Sequence, residues 1–78
     1  MNITIYSKAN CPNCVTAKQL LKTKGLEFVE FDQERNRDEF LDLIHRYPEV
    51  RQMPQIFING QRVGGLAGLQ NVIKDLGL

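Results

Sequence analysis

The chain has 78 residues, of which 42% are hydrophobic and 24% are charged, and its formal net charge is +1 at pH 7. This length predicts one domain over residues 1–78 with a small core. Acidic and basic residues are interspersed, and the absence of a basic stripe argues against nucleic acid as a partner. No apolar run approaches membrane-spanning length, and the first residues lack the pattern of a signal peptide. We therefore expect a cytoplasmic protein that does not bind membranes.

The first part of the chain predicts a strand, a helix and a second strand. Residues 2–7 alternate between two faces and are rich in residues that favour strands. Residues 12–24 have helical periodicity, and Gly25 is suited to the left-handed conformation that ends a helix. The face expected to be buried carries Cys14, Ala17 and Leu21, whereas Lys18 and Lys22 are expected to point outward. Residues 26–31 then predict a strand parallel to the first, reached by a right-handed crossover.

The second part of the chain predicts a helix, a hairpin and a final helix. Residues 37–47 and 67–76 have helical periodicity. Residues 55–58 and 61–63 predict two antiparallel strands joined by Asn59-Gly60, a pair favoured in type I′ turns. The apolar stripes of the two helices are Phe40, Leu43, Ile44 and Tyr47, and Leu69, Val72, Ile73 and Leu76. This order predicts a four-stranded sheet with helices on both faces.

Cys11 and Cys14 form a Cys-x-x-Cys pair where the first strand gives way to the first helix, and they are the only cysteines in the chain. A helix start collects unpaired backbone N–H groups and the positive end of the macrodipole, which together stabilise a thiolate. Pro12 suits the first helical position because its missing N–H is not needed there. Lys8 adds a cation that favours an anion at Cys11. The spacing also lets the second thiol close a disulfide with the first.

Two structural interpretations of this pair compete with redox chemistry. A closed structural zinc site needs four ligands, whereas the chain offers two cysteines and one histidine, His45, far along a predicted helix. A structural disulfide that closes so short a loop would stabilise the fold only weakly. The strand-to-helix setting favours redox chemistry, and we interpret His45 as an ordinary surface residue.

Three segments of the chain resemble those of dithiol glutaredoxins, which are small members of the thioredoxin-fold superfamily. They are residues 5–14 (IYSKANCPNC), residues 53–60 (MPQIFING) and residues 63–65 (VGG). The resemblance extends over the whole chain. It implies an α/β thioredoxin fold with a four-stranded mixed sheet, βαβ followed by ββα, and three helices packed on both faces. It also implies a monomeric disulfide oxidoreductase of the glutaredoxin type.

By this resemblance, Cys11 is the attacking nucleophile and Cys14 is the resolving thiol. The peptide bond between Met53 and Pro54 is expected to be cis, a form found in only about 5% of X-Pro bonds. The implied substrates are protein disulfides and glutathione mixed disulfides, with glutathione as co-substrate. No metal or prosthetic group is expected.

The glutathione site of the family also carries over to this chain. Lys8 and Arg51 would meet the glycine carboxylate of glutathione, and the Met53 backbone would pair with its cysteinyl backbone. Gly65 and the start of the last helix would receive the γ-glutamyl end, because free N–H groups at a helix start bind carboxylates. The implied glutathione-binding residues are Lys8, Asn13, Arg51, Met53, Pro54, Gly65, Leu66 and Ala67.

Three features differ from the usual pattern of the family. Asn13 stands in place of a tyrosine, and Met53 in place of a valine. Ala67 and Gly68 stand where two acidic residues commonly hold the amino group of glutathione. These differences keep a second hypothesis open, in which the protein is a glutaredoxin-like electron donor, for example to ribonucleotide reductase, that is recharged by thioredoxin reductase.

A third hypothesis is a carrier of iron–sulfur clusters. Pro12 argues against it by stiffening the loop where a cluster would lie, and so does the resolving thiol of Cys14. Ligation by four protein thiolates is excluded within one chain, which has only two cysteines.

Overall fold

The computed structural model describes residues 1–78. Its elements, in chain order, are β1 (Ile3–Ser7), α1 (Pro12–Thr23), β2 (Val29–Asp32), α2 (Arg37–Arg46), β3 (Gln55–Ile58), β4 (Gln61–Gly64) and α3 (Leu66–Asp75). The four strands form one sheet in the order β2-β1-β3-β4. β1 runs parallel to β2, and the β1–β3 and β3–β4 pairs are antiparallel. The predicted mixed sheet, a βαβ unit followed by ββα, is therefore confirmed.

The alternation of side chains along β1 separates two hydrophobic clusters on opposite faces of the sheet. The larger cluster joins β1 and β3 to α1 and α3, and its buried members are Ile3, Ile5, Ala17, Leu21, Ile56, Leu69 and Ile73. The smaller cluster joins the other face to α2, and its buried members are Tyr6, Phe40, Leu43 and Phe57. Each fully buried aliphatic or aromatic side chain contributes about 1.5–3 kcal/mol to the stability of the fold. The prediction of helices on both faces is thus confirmed.

The second strand differs from its prediction, which placed it at residues 26–31. The chain leaves α1 through Gly25, whose φ is 69°, and the Leu26 N–H then donates to the Leu21 carbonyl at 2.9 Å. This bond closes the helix end and holds Leu26 beside α1. Leu26 and Phe28 pack against the larger cluster from outside the sheet. The strand therefore begins at Val29 and continues one residue further than predicted.

Two apolar positions predicted to be buried are exposed. Ile44 in α2 is 46% exposed, and Leu76 at the end of α3 is 55% exposed. Phe40 and Leu43 cover the sheet as predicted, and Tyr47 packs at the edge of their cluster. α2 is the only helix of that face, so no neighbouring element covers Ile44. Leu76 is the C-cap of α3 and lies beyond the last buried turn of that helix.

The remaining boundaries agree with the predictions to within one residue, a difference that helix and strand ends commonly show. The predicted turn between β3 and β4 is confirmed, with φ of 52° at Asn59 and 82° at Gly60, as a type I′ turn requires. His45 is exposed on α2, as expected of a surface residue. No helix has the length and apolar character needed to cross a membrane.

Candidate active site

Cys11 is the N-cap of α1, and its sulfur takes the place of the usual capping oxygen. Its backbone is extended, with φ of −120° and ψ of 97°, and Pro12 opens the helix behind it. The backbone N–H of Cys14 points at Cys11 Sγ across 3.1 Å. Caps normally use an oxygen acceptor to satisfy an otherwise unpaired N–H of the first turn. The same N–H and the helix macrodipole would stabilise a negative charge on this sulfur after reduction.

The two cysteines are joined in a disulfide, with their Cα atoms 5.2 Å apart. The side chains differ in access, because Cys11 is 7% exposed and Cys14 is 1% exposed. Cys14 lies one turn into α1, on the face that packs into the protein with Ala17 and Leu21. A sulfur atom of an incoming molecule therefore meets Cys11 first.

Residues from the far half of the chain complete the surroundings of Cys11. The carbonyl oxygen of Met53 lies 3.6 Å from Cys11 Sγ. The predicted cis peptide bond between Met53 and Pro54 is present. A Cβ built on Gly65 would lie 3.4 Å from the Pro54 carbonyl oxygen, so the start of α3 passes close to this turn.

A groove of about 290 Å³ runs between β3 and the start of α3, and we call it the β3–α3 groove. Its lining residues are Asn13, Gln52, Met53, Pro54, Gln55, Gly65, Leu66 and Ala67. Six of them are residues for which the sequence implied contact with glutathione. Gln52 and Gln55 were not predicted, although their positions on either side of the Met-Pro pair could have pointed to them.

The structure does not bring Lys8 and Arg51 into the β3–α3 groove. Lys8 lines a second cleft of about 650 Å³, which we call the lysine cleft. Its lining residues are Lys8, Ala9, Asn10, Cys11, Pro12, Cys14, Val15, Lys18 and Asp32. Arg51 is exposed, and its guanidinium donates to the carbonyl oxygens of Pro48 and Val50 at 3.0 and 3.3 Å. The joint contact of Lys8 and Arg51 with one carboxylate therefore stays a prediction.

The prediction that Lys18 points into solvent is wrong, because Lys18 lines the lysine cleft. Lys18 is only partly exposed, and its ammonium bonds to the Glu30 carboxylate at 2.8 Å. The sequence carried a usable signal, since Lys18 lies one helical turn beyond Cys14 and hence on the same side of α1.

Of the two small residues at the start of α3, Ala67 and Gly68, the structure explains Gly68. A Cβ at Gly68 would meet the Val63 carbonyl, with only 2.8 Å to its carbon atom. α3 thus packs directly on the backbone of β4 at this point, and no acidic side chain fits there. Ala67, by contrast, is exposed.

The structure contains no group of three or more His, Cys, Asp or Glu side chains placed to hold a metal ion. The reactive groups that the structure places at this site are Cys11 and Cys14. A Cys-x-x-Cys pair at the start of α1, next to a cis-proline in a four-stranded mixed sheet, defines a thiol–disulfide oxidoreductase of the thioredoxin fold.

Comparison with known proteins narrows this class to a family. The glutaredoxin family model matches residues 3–63. Glutaredoxin 3 of Escherichia coli strain K12 is 41% identical over 64 residues, which are 82% of this chain and 76% of that protein. The chain belongs to the glutaredoxin family.

Two solved structures show how widely this architecture is shared. Glutaredoxin 1 of Francisella tularensis matches with a TM-score of 0.73 at 30% identity, over 99% of this chain and 98% of that one. The NrdH-redoxin of Escherichia coli matches with a TM-score of 0.77 at 25% identity, over 97% of this chain and 95% of that one. The latter is described as a glutaredoxin-like protein with a thioredoxin-like activity profile. The fold is therefore common to proteins with different activity profiles.

Proposed function

We propose that this protein reduces protein disulfides and glutathione mixed disulfides, with glutathione as its source of electrons. The observation that carries the proposal is the β3–α3 groove, which is lined by Met53 and the start of α3, together with the Met53 carbonyl oxygen 3.6 Å from Cys11 Sγ. A tripeptide with a free thiol can lie in this groove with its sulfur directed at Cys11.

The difference in access between the two sulfurs supports distinct roles for them. The Cys11 thiolate attacks one sulfur of a substrate disulfide, which forms a mixed disulfide and releases the other sulfur as a thiolate. The Cys14 thiolate then attacks Cys11 Sγ, so that the Cys11–Cys14 bond forms and the substrate leaves reduced. Two electrons pass from the protein to the substrate.

Two glutathione molecules return the protein to its reduced form. The first glutathione thiolate attacks Cys11 Sγ and releases Cys14. The second attacks the glutathione sulfur of that mixed disulfide, which releases the Cys11 thiolate and glutathione disulfide. With a glutathione mixed disulfide as substrate, the Cys11 thiolate attacks the glutathione sulfur and releases the substrate thiolate, and a glutathione thiolate then frees Cys11 as in the last exchange. This route does not require Cys14.

The ends of glutathione have matching groups on the protein. The N-cap of α3, Gly65, makes no side-chain capping bond, so the first-turn N–H groups of the helix are available to the γ-glutamyl carboxylate. The Met53 main chain can pair with the cysteinyl backbone of glutathione. We assign the glycine carboxylate to Lys8, which lines the lysine cleft, and to the exposed Arg51, whose guanidinium also donates to carbonyl oxygens of its own loop.

A second function, electron donation after recharging by thioredoxin reductase, is favoured by two observations. The acidic side chains that commonly hold the glutathione amino group are absent at Ala67 and Gly68. The NrdH-redoxin of Escherichia coli, with its thioredoxin-like activity profile, has the same fold over nearly the whole chain. Under this hypothesis ribonucleotide reductase is one candidate recipient of the electrons.

A coupled turnover assay separates the two electron sources. A peptide glutathione mixed disulfide would be supplied in both arms, with glutathione and glutathione reductase in the first and with thioredoxin reductase alone in the second. NADPH consumption in the first arm alone supports the glutathione proposal. Consumption in the second arm alone replaces it with the donor hypothesis. The Cys11→Ser variant gives the background of both arms.

A further inference from the structure

A charged network lies against the lysine cleft and is used by none of the steps above. The Lys18 ammonium, from α1, bonds to Glu30 Oε2 of β2 at 2.8 Å. The Ser7 hydroxyl, at the end of β1, donates to the same oxygen at 2.6 Å. Ser7 is 1% exposed, so one oxygen of Glu30 ties the helix that carries Cys14 to the buried end of the central strand.

The hydrogen bonds keep the Glu30 carboxylate charged. Burial by itself would raise the pKa of Glu30, but the bonds from Lys18 and Ser7 and the charge of Lys18 outweigh it and hold the pKa below its usual value. The ammonium of Lys18 is thereby held in place as one half of an ion pair. The Lys18 and Glu30 side chains are 28% and 33% exposed, so solvent screens the pair only in part.

Lys18 lies one helical turn beyond Cys14, and residues at this spacing have their Cβ atoms about 5–6 Å apart. Both residues line the lysine cleft. The other charged residues of the cleft are Lys8, from the loop after β1, and Asp32, at the end of β2. Asp32 already accepts the N–H groups of Glu34 and Arg35 through Oδ1.

We propose that the Lys18–Glu30 ion pair sets the charge that faces Cys14 and so controls how readily the resolving thiol becomes a thiolate. In the resolving step, Cys14 loses its proton to water, and its thiolate attacks Cys11 Sγ. The bond between Cys11 and the substrate sulfur breaks, and the substrate leaves as a thiolate that takes up a proton. Lys18 and Glu30 touch neither sulfur of the substrate and act as positioning residues for this step.

Under this proposal, removal of Lys18 and removal of Glu30 have opposite effects on the formation of the Cys14 thiolate. Lys18→Met removes the cation and leaves the Glu30 carboxylate, which disfavours the Cys14 thiolate. Glu30→Gln removes the anion and leaves the Lys18 cation, which favours it. A merely structural role of the ion pair predicts that both substitutions act in the same direction.

The resolving step can be followed with a nitrobenzoate disulfide as the substrate. Attack by Cys11 releases a first coloured thiolate, and attack by Cys14 releases a second, so the second phase reports on Cys14 alone. We expect Lys18→Met to raise the pH midpoint of the second phase by roughly half a unit, which slows it about threefold at pH 7. We expect Glu30→Gln to lower the midpoint by a similar amount and Lys18→Arg to restore it.

Lys22→Met and Glu27→Gln are matched controls, since these exposed residues line neither the lysine cleft nor the β3–α3 groove. Shifts of the same sign for Lys18→Met and Glu30→Gln would overturn the proposal, and so would shifts no larger than those of the controls. The assay uses no glutathione, so its outcome is independent of the electron source proposed above.

A second measurement applies if a substitution lowers stability. At a pH above the midpoint of the second phase, where Cys14 of the dithiol is ionised, the thiol–disulfide equilibrium should shift about threefold toward the disulfide in Lys18→Met and about threefold toward the dithiol in Glu30→Gln. These changes correspond to about 15 mV in opposite directions, because a tenfold change in this two-electron equilibrium is about 30 mV. Equal potentials in the two variants would contradict the proposal.

Discussion

Cys11 Sγ lies 3.6 Å from the carbonyl oxygen of Met53, a residue 42 positions further along the chain. This proximity joins the start of α1 to the turn before β3 and places the outer sulfur beside Met53, which lines the β3–α3 groove. An extended peptide bound along the Met53 backbone would therefore bring its own sulfur to Cys11 rather than to Cys14.

Replacement of either cysteine should separate their roles. Cys11→Ser should lower turnover of a glutathione mixed disulfide roughly a thousandfold or more, because the attacking sulfur is gone. Cys14→Ser should retain turnover of that substrate but lose the reduction of protein disulfides by the two-thiol route. Steady-state rates on the two substrates measure the difference. Loss of both activities in Cys14→Ser would contradict the assignment of Cys14 as the resolving thiol.

An acidic residue at position 67 should strengthen glutathione binding. Ala67 is exposed in the first turn of α3 and lines the β3–α3 groove. An aspartate there would face the amino group of the γ-glutamyl end, and an exposed ion pair of this kind is worth up to about 1 kcal/mol. We expect Ala67→Asp to lower the KM for glutathione roughly threefold, whereas the uncharged Ala67→Asn should not. Equal KM values in the two variants would place the γ-glutamyl end elsewhere.

Gly68 should not tolerate a side chain. A Cβ at this position would lie within 2.8 Å of the carbonyl carbon of Val63, which is backbone and cannot rotate away. Alanine favours a helix over glycine by about 1 kcal/mol, but forcing α3 from β4 costs about 1–3 kcal/mol. We expect Gly68→Ala to lower the free energy of unfolding in a urea titration. Asn71→Ala, at an exposed site of the same helix, is the control, and a stabilised Gly68→Ala would show that α3 can shift.

The Glu30 carboxylate should make stability depend on pH. Its folded pKa lies below its usual value of 4.5, so its charged form is favoured in the folded protein. The resulting stabilisation is present above about pH 4.5 and is lost as the pH falls through the lower, folded pKa. The difference in unfolding free energy between the unmodified protein and Glu30→Gln should therefore be largest near neutral pH and narrow in acid. Urea titrations across this range would show it, and a difference that widens in acid would contradict it.

Much of the fold could be predicted from local sequence patterns. The predictions failed at positions whose burial or pairing depends on elements far away in the chain. The alternation in residues 2–7 and the Asn59-Gly60 pair predicted strands and a turn that are present. Ile44 was predicted to be part of the buried apolar stripe of α2 but is exposed. Periodicity shows which side chains share a helix face but not whether another element covers them. The strand predicted at residue 26 begins instead at Val29, because Leu26 bonds back to the end of α1.

The sequence by itself determined the order of the elements and the position of the cysteine pair at a helix start. These features depend on residues close together in the chain, whose periodicity, capping and turn preferences act locally. Only the tertiary structure decided that Met53 lies beside Cys11, that Arg51 bonds within its own loop, and that Ser7 and Lys18 meet on Glu30. Such contacts join residues far apart in the chain, and their distances are set by how the helices pack on the two faces of the sheet.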